Sequence, residues 1–154
     1  CASEISDSKV FGIDISSDAL QIAEENKLRL NLKNIFFAMV DILVEVPDIP
    51  SKKYDLMVSN PPYISIDEMR YLSKDIKNFE PHIALTDFRD GLIFYHRFAE
   101  LGRKIVKLNG WIILEVGLKN HPNEVLSIFK NSNYRNPKLL KDFNGDNRVL
   151  IAQV

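Results

Sequence analysis

Tyr54-Asp55-Leu56-Met57-Val58-Ser59-Asn60-Pro61-Pro62-Tyr63 joins a short apolar stretch to a stiff loop. Residues 54–59 read as a buried strand, with an aromatic start and β-branched Val58, and the prolines stop it. Two adjacent prolines hold φ near about −65° and remove two backbone donors. The Asn60 side-chain oxygen and the nearby main-chain carbonyls are then acceptors held at a strand end. Such a site suits a substrate that presents an NH2 group, a planar amide or an exocyclic amine. That nitrogen's lone pair is delocalised. Hydrogen bonds from both N–H groups to fixed acceptors localise it toward an electrophile. The plain alternative is a turn that merely ends the strand, and the flanking sequence favours the site.

Outward from this stretch, strand and helix signals alternate, which predicts an α/β domain with a mostly parallel sheet. Lys9–Asp14 reads as a strand. Ser16 or Ser17 can cap the helix that follows, with Asp18 in its first turn. Ala19, Ile22, Ala23 and Leu30 share one face of that helix, which runs to about Asn31. Asn34–Val40 is a second strand, and Val44–Lys53, with Pro47 and Pro50, is a loop. Beyond the prolines, Asp67–Lys77 is a candidate helix that Phe79-Glu80-Pro81-His82 breaks. Leu92–Leu108 is amphipathic, and Asn109-Gly110 is a left-handed helix stop. Trp111–Val116, nearly all apolar, predicts a central strand covered on both faces, with Trp111 in the core. Pro122–Asn131 is a helix with proline in its first turn. Lys138–Phe143 and Arg148–Val154 form a closing hairpin around Asn144-Gly145-Asp146-Asn147.

The 154 residues suffice for one domain, 1–154, with its own core. At 45% hydrophobic and 27% charged, the composition is that of a soluble globular chain. A net charge of −1 gives no nucleic-acid footprint. One cysteine excludes an internal disulfide framework, and three scattered histidines make no metal cluster. No apolar run approaches the roughly 20 residues that span a bilayer. No signal peptide is visible, so a cytoplasmic enzyme or binding domain is expected. The first residue is Cys1, and Cys1–Asp7 reads as the tail of a helix and a turn running into a strand, so the chain is expected to begin inside a fold.

Ligands of open α/β sheets bind beyond the carboxyl ends of the strands. Three residues stand there: Asp14, Asp41 and Asn60. Asp14 can accept both hydroxyls of a ribose or cap the following helix. Asp41 can meet an adenine amine or simply order its loop.

This order of strand–acid, strand–acid and strand–Asn-Pro-Pro-Tyr resembles the Rossmann-like class I methyltransferases that use S-adenosylmethionine. Within them it is closest to the release-factor glutamine methyltransferases of the HemK/PrmC type. The resemblance rests on Val10–Ser16, Asp55–Ile64, Phe79-Glu80-Pro81-His82-Ile83-Ala84-Leu85, Asp90-Gly91-Leu92, Asn109–Gly117 and Asp142–Val149, essentially the whole chain. Asn-Pro-Pro-Tyr alone is shared with adenine-amino DNA methyltransferases and some RNA guanine methyltransferases. The Phe-Glu-Pro and Asn-Gly-Asp-Asn-Arg segments make the match specific.

The resemblance implies that Asp14 binds the cofactor ribose and that Asp41 with Ile42 borders the adenine. Asn60 would lie beside the cofactor as well as the substrate. Its side-chain oxygen and the Pro61 carbonyl would accept the two N–H groups of a glutamine in a peptide chain release factor. Pro62 and Tyr63 would shape the slot, and Glu80 would order the substrate loop or pair with an arginine. The family's first strand, its glycine-rich loop and its N-terminal helical domain have no counterpart in this sequence. The strand ending at Asp14 and the one ending at Asn60 are therefore expected to lack a shared neighbour.

Glu115, a charge in an apolar strand, needs a partner such as Arg148 unless it points into the cleft. His82 and His96 read as surface residues. Two rivals stand beside the glutamine reading. One is an adenine-amino DNA methyltransferase, which calls for a basic groove. The other is a non-catalytic methyltransferase-like module that binds a partner.

Overall fold

The computed structural model describes residues 1–47 and 53–154, so part of the loop expected over Val44–Lys53 lies outside the described residues. Its contacts cluster into two compact units, Cys1–Asp48 and Ile49–Val154.

In the first unit, strand β1 (Val10–Asp14) runs parallel to β2 (Ile35–Met39), with Val10 opposite Ile35 and Asp14 opposite Met39. Helix α1 (Ser17–Arg29) connects them. Ser16 is its cap, with Oγ accepting from Ala19 N at 3.2 Å. Asn31, at φ 51°, turns the chain out of the helix two residues beyond Arg29. Ile22 and Leu30 are exposed, and α1 has no buried residue, because this small unit offers it only a two-stranded sheet. Residues 1–7 form turns, tied to the unit by Asn34 Nδ2 donating to the Ala2 carbonyl.

In the second unit, the sheet order is β3 (Tyr54–Ser59), β4 (Val106–Glu115), β6 (Asn147–Gln153), β5 (Arg135–Lys141). β3 and β4 are parallel, while β4–β6 and β6–β5 are antiparallel. The closing hairpin is present, and its second strand is the inner one. Helices α4 (Ile93–Ile105) and α5 (His121–Asn131) cover one face of the sheet, where Tyr95, Leu101, Ile112, Leu114, Val125, Phe129 and Leu150 are fully buried. The other face is half open. Trp111 is 38% exposed and Val58 59%, so β3 is not the buried strand expected and Trp111 is not core. β4 is central, but it is covered on one face only.

Between β3 and α4 lie a single 3-10 turn (Glu68–Tyr71) and two short helices, α2 (Lys74–Phe79) and α3 (His82–Leu85). The one helix expected over Asp67–Lys77 is broken at Leu72-Ser73, because Ser73 caps a new start at α2. The helix expected over Leu92–Leu108 also ends early, at Ile105. Asn109, at φ 65°, sits inside β4 and not at a helix end. There the pairing jumps from Tyr54–Val106 to Leu56–Trp111. The backbone of Val154 bonds both Asn109 N and Gly110 O, which makes this segment a bulge in a strand.

Candidate active site

In the first unit, the two acids stand at the carboxyl ends of neighbouring parallel strands. The Asp14 carbonyl accepts from Val40 N at 3.0 Å, one residue before Asp41. Asp14 Oδ1 accepts from Ser16 N at 2.8 Å, which fixes the side chain at the start of α1. Its second oxygen has no partner among the described residues, and the residue is exposed. A carboxylate oriented by one bond and free at the other oxygen fits a hydroxyl-bearing ligand such as a ribose. Asp41 is committed differently. Its Oδ1 accepts from Leu43 N at 3.0 Å, its own N–H meets Glu45 Oε1 at 3.2 Å, and its carbonyl accepts from Val44 and Glu45. It builds a turn that presents half-buried Ile42.

In the second unit, Asn60 is exposed at the end of β3, and its carboxamide engages none of the described residues. Pro61 behind it is buried, with Pro62 and Tyr63 half-buried. Asn60, Pro61, Tyr63, Ile64, Ala84 and Leu85 line a cavity of about 100 Å³. The far wall is attached by backbone: Ile64 N donates to the Leu85 carbonyl at 3.0 Å, and Ile66 N to Arg89 at 2.8 Å. A slot lined by the polar Asn60 together with the apolar side chains of Ile64, Ala84 and Leu85 can hold a planar amide. Glu80, at the end of α2, is exposed and makes no ion pair among the described residues, so the expected arginine partner is absent there.

Tyr63 is held from several sides. Its hydroxyl donates to Glu115 Oε1 at 3.2 Å and accepts from Arg148 Nη2 at 3.0 Å. Arg148 also meets Glu115 Oε1 at 2.7 Å, with its guanidinium 5.4 Å from the Tyr63 ring centre. The expected Glu115–Arg148 pair is therefore real, and the tyrosine that shapes the slot closes it into a triangle. Behind it, the Tyr95 hydroxyl donates to the Glu115 carbonyl at 2.7 Å, and burial pushes that phenol's pKa well above the ordinary tyrosine value.

Two residues of this support were not read from the sequence. Asp87 accepts three backbone amides: Arg89 N and Gly91 N on Oδ1 at 2.8 and 3.0 Å, and Ile93 N on Oδ2 at 3.1 Å. It orders the loop into α4. It stands six residues before α4 begins, too far to read as a cap of that helix. His121 bonds Gly117 N and Gly91 O through its two ring nitrogens. Nothing local in Asn120-His121-Pro122 signals that role. His82, by contrast, is exposed with Nε2 3.1 Å from the Lys77 carbonyl, and His96 is exposed on α4.

Gly91 lies directly under the slot. At φ +85° a side chain is strained, and a Cβ there would clash with the Tyr63 carbonyl oxygen. Gly91→Ala is therefore expected to cost about 2 kcal/mol or more, from left-handed strain plus the clash. Denaturant unfolding of the two proteins measures it, and a difference near zero contradicts this packing.

Comparison with known proteins gives a consistent picture. The family model described as a methyltransferase domain matches residues 2–101. A release factor glutamine methyltransferase of Fusobacterium nucleatum is 39% identical over 152 residues, 99% of this chain and 42% of that protein. The Bacillus subtilis protein of the same name is 40% identical over 149 residues, 94% of this chain and 50% of its own length. The chain thus spans about half the length of the curated relatives it matches. Among solved structures, a methyltransferase from Pyrococcus furiosus superposes with TM-score 0.69 at 17% identity, over 99% of this chain and 66% of that one, so the fold is shared. On the domain match over residues 2–101, the chain belongs to the methyltransferase-domain family.

Proposed function

We propose that the whole protein transfers a methyl group from S-adenosylmethionine to the side-chain amide nitrogen of a glutamine in a peptide chain release factor. The observation that carries this reading is the Asn60–Tyr63 loop, where Asn60, whose carboxamide bonds none of the described residues, lines a cavity of about 100 Å³. Identity of 39–40% to two release factor glutamine methyltransferases supports the substrate class. Residues 1–154 would serve as part of one catalytic domain. The setting is the cytoplasm, because the substrate is a translation factor. The surface required is one that recognises a protein and not a nucleic acid or a membrane. The net charge of −1 agrees with that, and no described helix is long and apolar enough to cross a membrane.

The residues divide the work. Asp14 would bind the ribose hydroxyls through its free carboxylate oxygen. Asp41 would hold its turn so that it and Ile42 border the adenine. When bound, S-adenosylmethionine supplies an electrophilic methyl group with a thioether as leaving group. Asn60 Oδ1 and the Pro61 carbonyl would accept the two N–H groups of the glutamine, leaving the nitrogen lone pair free to react. Pro62 and Tyr63 shape the slot, and Asn60 borders both ligands. Glu80, with no ion pair among the described residues, would order the incoming substrate loop. No strong base is required before methyl transfer, since the methylated amide nitrogen is strongly acidic and sheds its proton to water. Rate then comes from placement and acceptor geometry.

Incubating the full-length protein with labelled cofactor and, separately, release factor or duplex DNA decides the substrate. Label in the factor is the expected result. Label in DNA with none in the factor overturns the proposal in favour of an adenine-amino methyltransferase, and label in neither favours a binding module.

A further inference from the structure

His121 is where the supports of the slot meet. Its Nδ1 lies 3.0 Å from Gly117 N and its Nε2 3.1 Å from the Gly91 carbonyl oxygen. An amide N–H only donates and a carbonyl only accepts. Together the two partners admit one form of the ring: neutral, with the lone pair on Nδ1 and the proton on Nε2. Any other form sets one N–H against another or a lone pair against a carbonyl.

The same ring packs against Tyr63, with centroids 6.0 Å apart, and edge-on against Tyr95 at 5.0 Å. Gly91, which it holds, lies under the Tyr63 carbonyl, and Gly117, which it also holds, comes close to the Tyr63 ring. His121 therefore reaches Tyr63 three ways: directly, through Gly91 and through Gly117. The hydroxyl end of Tyr63 is fixed separately by Glu115 and Arg148. Without His121, the loop beneath keeps its bonds to Asp87 and Ile66, but the Gly91 carbonyl and Gly117 N lose a partner and the Tyr63 ring loses the packing at its base.

We infer that His121 is a positioning residue for the Asn60–Tyr63 loop, acting as the neutral Nε2–H tautomer. This rests on the function proposed above for that loop. It touches no reacting atom, so its effect passes through Tyr63 and Gly91 to the acceptors at Asn60 and Pro61. Reaction rates in such sites respond steeply to small misplacements, about 10²-fold for roughly an ångström.

Two measurements on the full-length protein test it. Long-range proton–nitrogen correlation of the imidazole at neutral pH should show Nδ1 unprotonated and Nε2 protonated, and the opposite tautomer overturns the inference. His121→Phe keeps a ring against Tyr63 and Tyr95 and deletes both hydrogen bonds. It should move the Tyr63 ring resonances (assigned with Tyr63→Phe) and lower kcat toward release factor by about 10- to 10²-fold. Its Kd for S-adenosylmethionine should stay within about twofold of wild type. Unmoved Tyr63 resonances with wild-type kcat overturn the inference. If the protein methylates no release factor at all, the function proposal falls, and the tautomer and Tyr63 resonances still decide the role of His121. If the phenylalanine variant does not fold, the tautomer of the wild type decides alone.

Discussion

Asn60→Ala in the full-length protein lowers kcat by about 10²- to 10³-fold, the usual loss when one preorganised hydrogen-bonding group is removed from a site where charge develops. The variant is clean because Asn60 supports no other described residue. Its carboxamide is exposed and bonds none of the described residues, so removing it breaks no internal contact. Surface changes of that kind usually stay within about 0.5 kcal/mol of stability. The loop itself is held elsewhere: by Pro61 and Pro62, by the Ile64–Leu85 and Ile66–Arg89 backbone bonds, and by the Tyr63 triangle. Cofactor affinity, read by calorimetry, is expected to change far less than kcat, since the lost acceptor serves mainly the substrate amide. If kcat stays within a few-fold of wild type, Asn60 is only the residue that ends β3.

Those supports explain what could and could not be read along the chain. The elements with strong local signals fall where expected: β1, α1 with its Ser16 cap, β2, β3, α5 and the closing hairpin. Asn109-Gly110 misled because a left-handed residue suits a helix stop and a strand bulge equally. The choice was made by Val154, 45 positions beyond Asn109 along the chain, whose backbone bonds both residues. Ser73 did carry a local signal, a helix cap inside the segment expected to be a single helix. Trp111 and Val58 read as core by composition. Their exposure follows from α4 and α5 packing on the same face of the sheet, which no single strand encodes. The Asn60–Tyr63 slot was legible because its chemistry is contiguous. The residues that brace it were legible only where an isolated feature stood out, as with Glu115 inside an apolar strand. Asp87 and His121 act through backbone groups of other segments, so their types alone did not single them out.

Asp14→Ala has the complementary effect, weakening S-adenosylmethionine binding more than it slows the bound complex. A hydrogen bond to a charged group is worth about 1.5–3 kcal/mol, and about 1.4 kcal/mol is tenfold in affinity, so Kd rises by about 10- to 10²-fold. The competing reading is that Asp14 merely orders the start of α1, since Oδ1 does accept from the N–H of the cap residue Ser16 at 2.8 Å. Asp14→Asn separates the two. It keeps a side-chain oxygen for Ser16 N and removes the negative charge from the oxygen left free. Ordering the helix start needs only the acceptor, so the asparagine variant then melts and binds like wild type. A ribose ligand needs the charge, so the variant melts like wild type but binds cofactor roughly tenfold more weakly, by the loss of charge assistance. Calorimetric titration with thermal melting of the three full-length proteins distinguishes these outcomes. Unchanged affinity in the asparagine variant assigns Asp14 to the helix and removes it from the cofactor site.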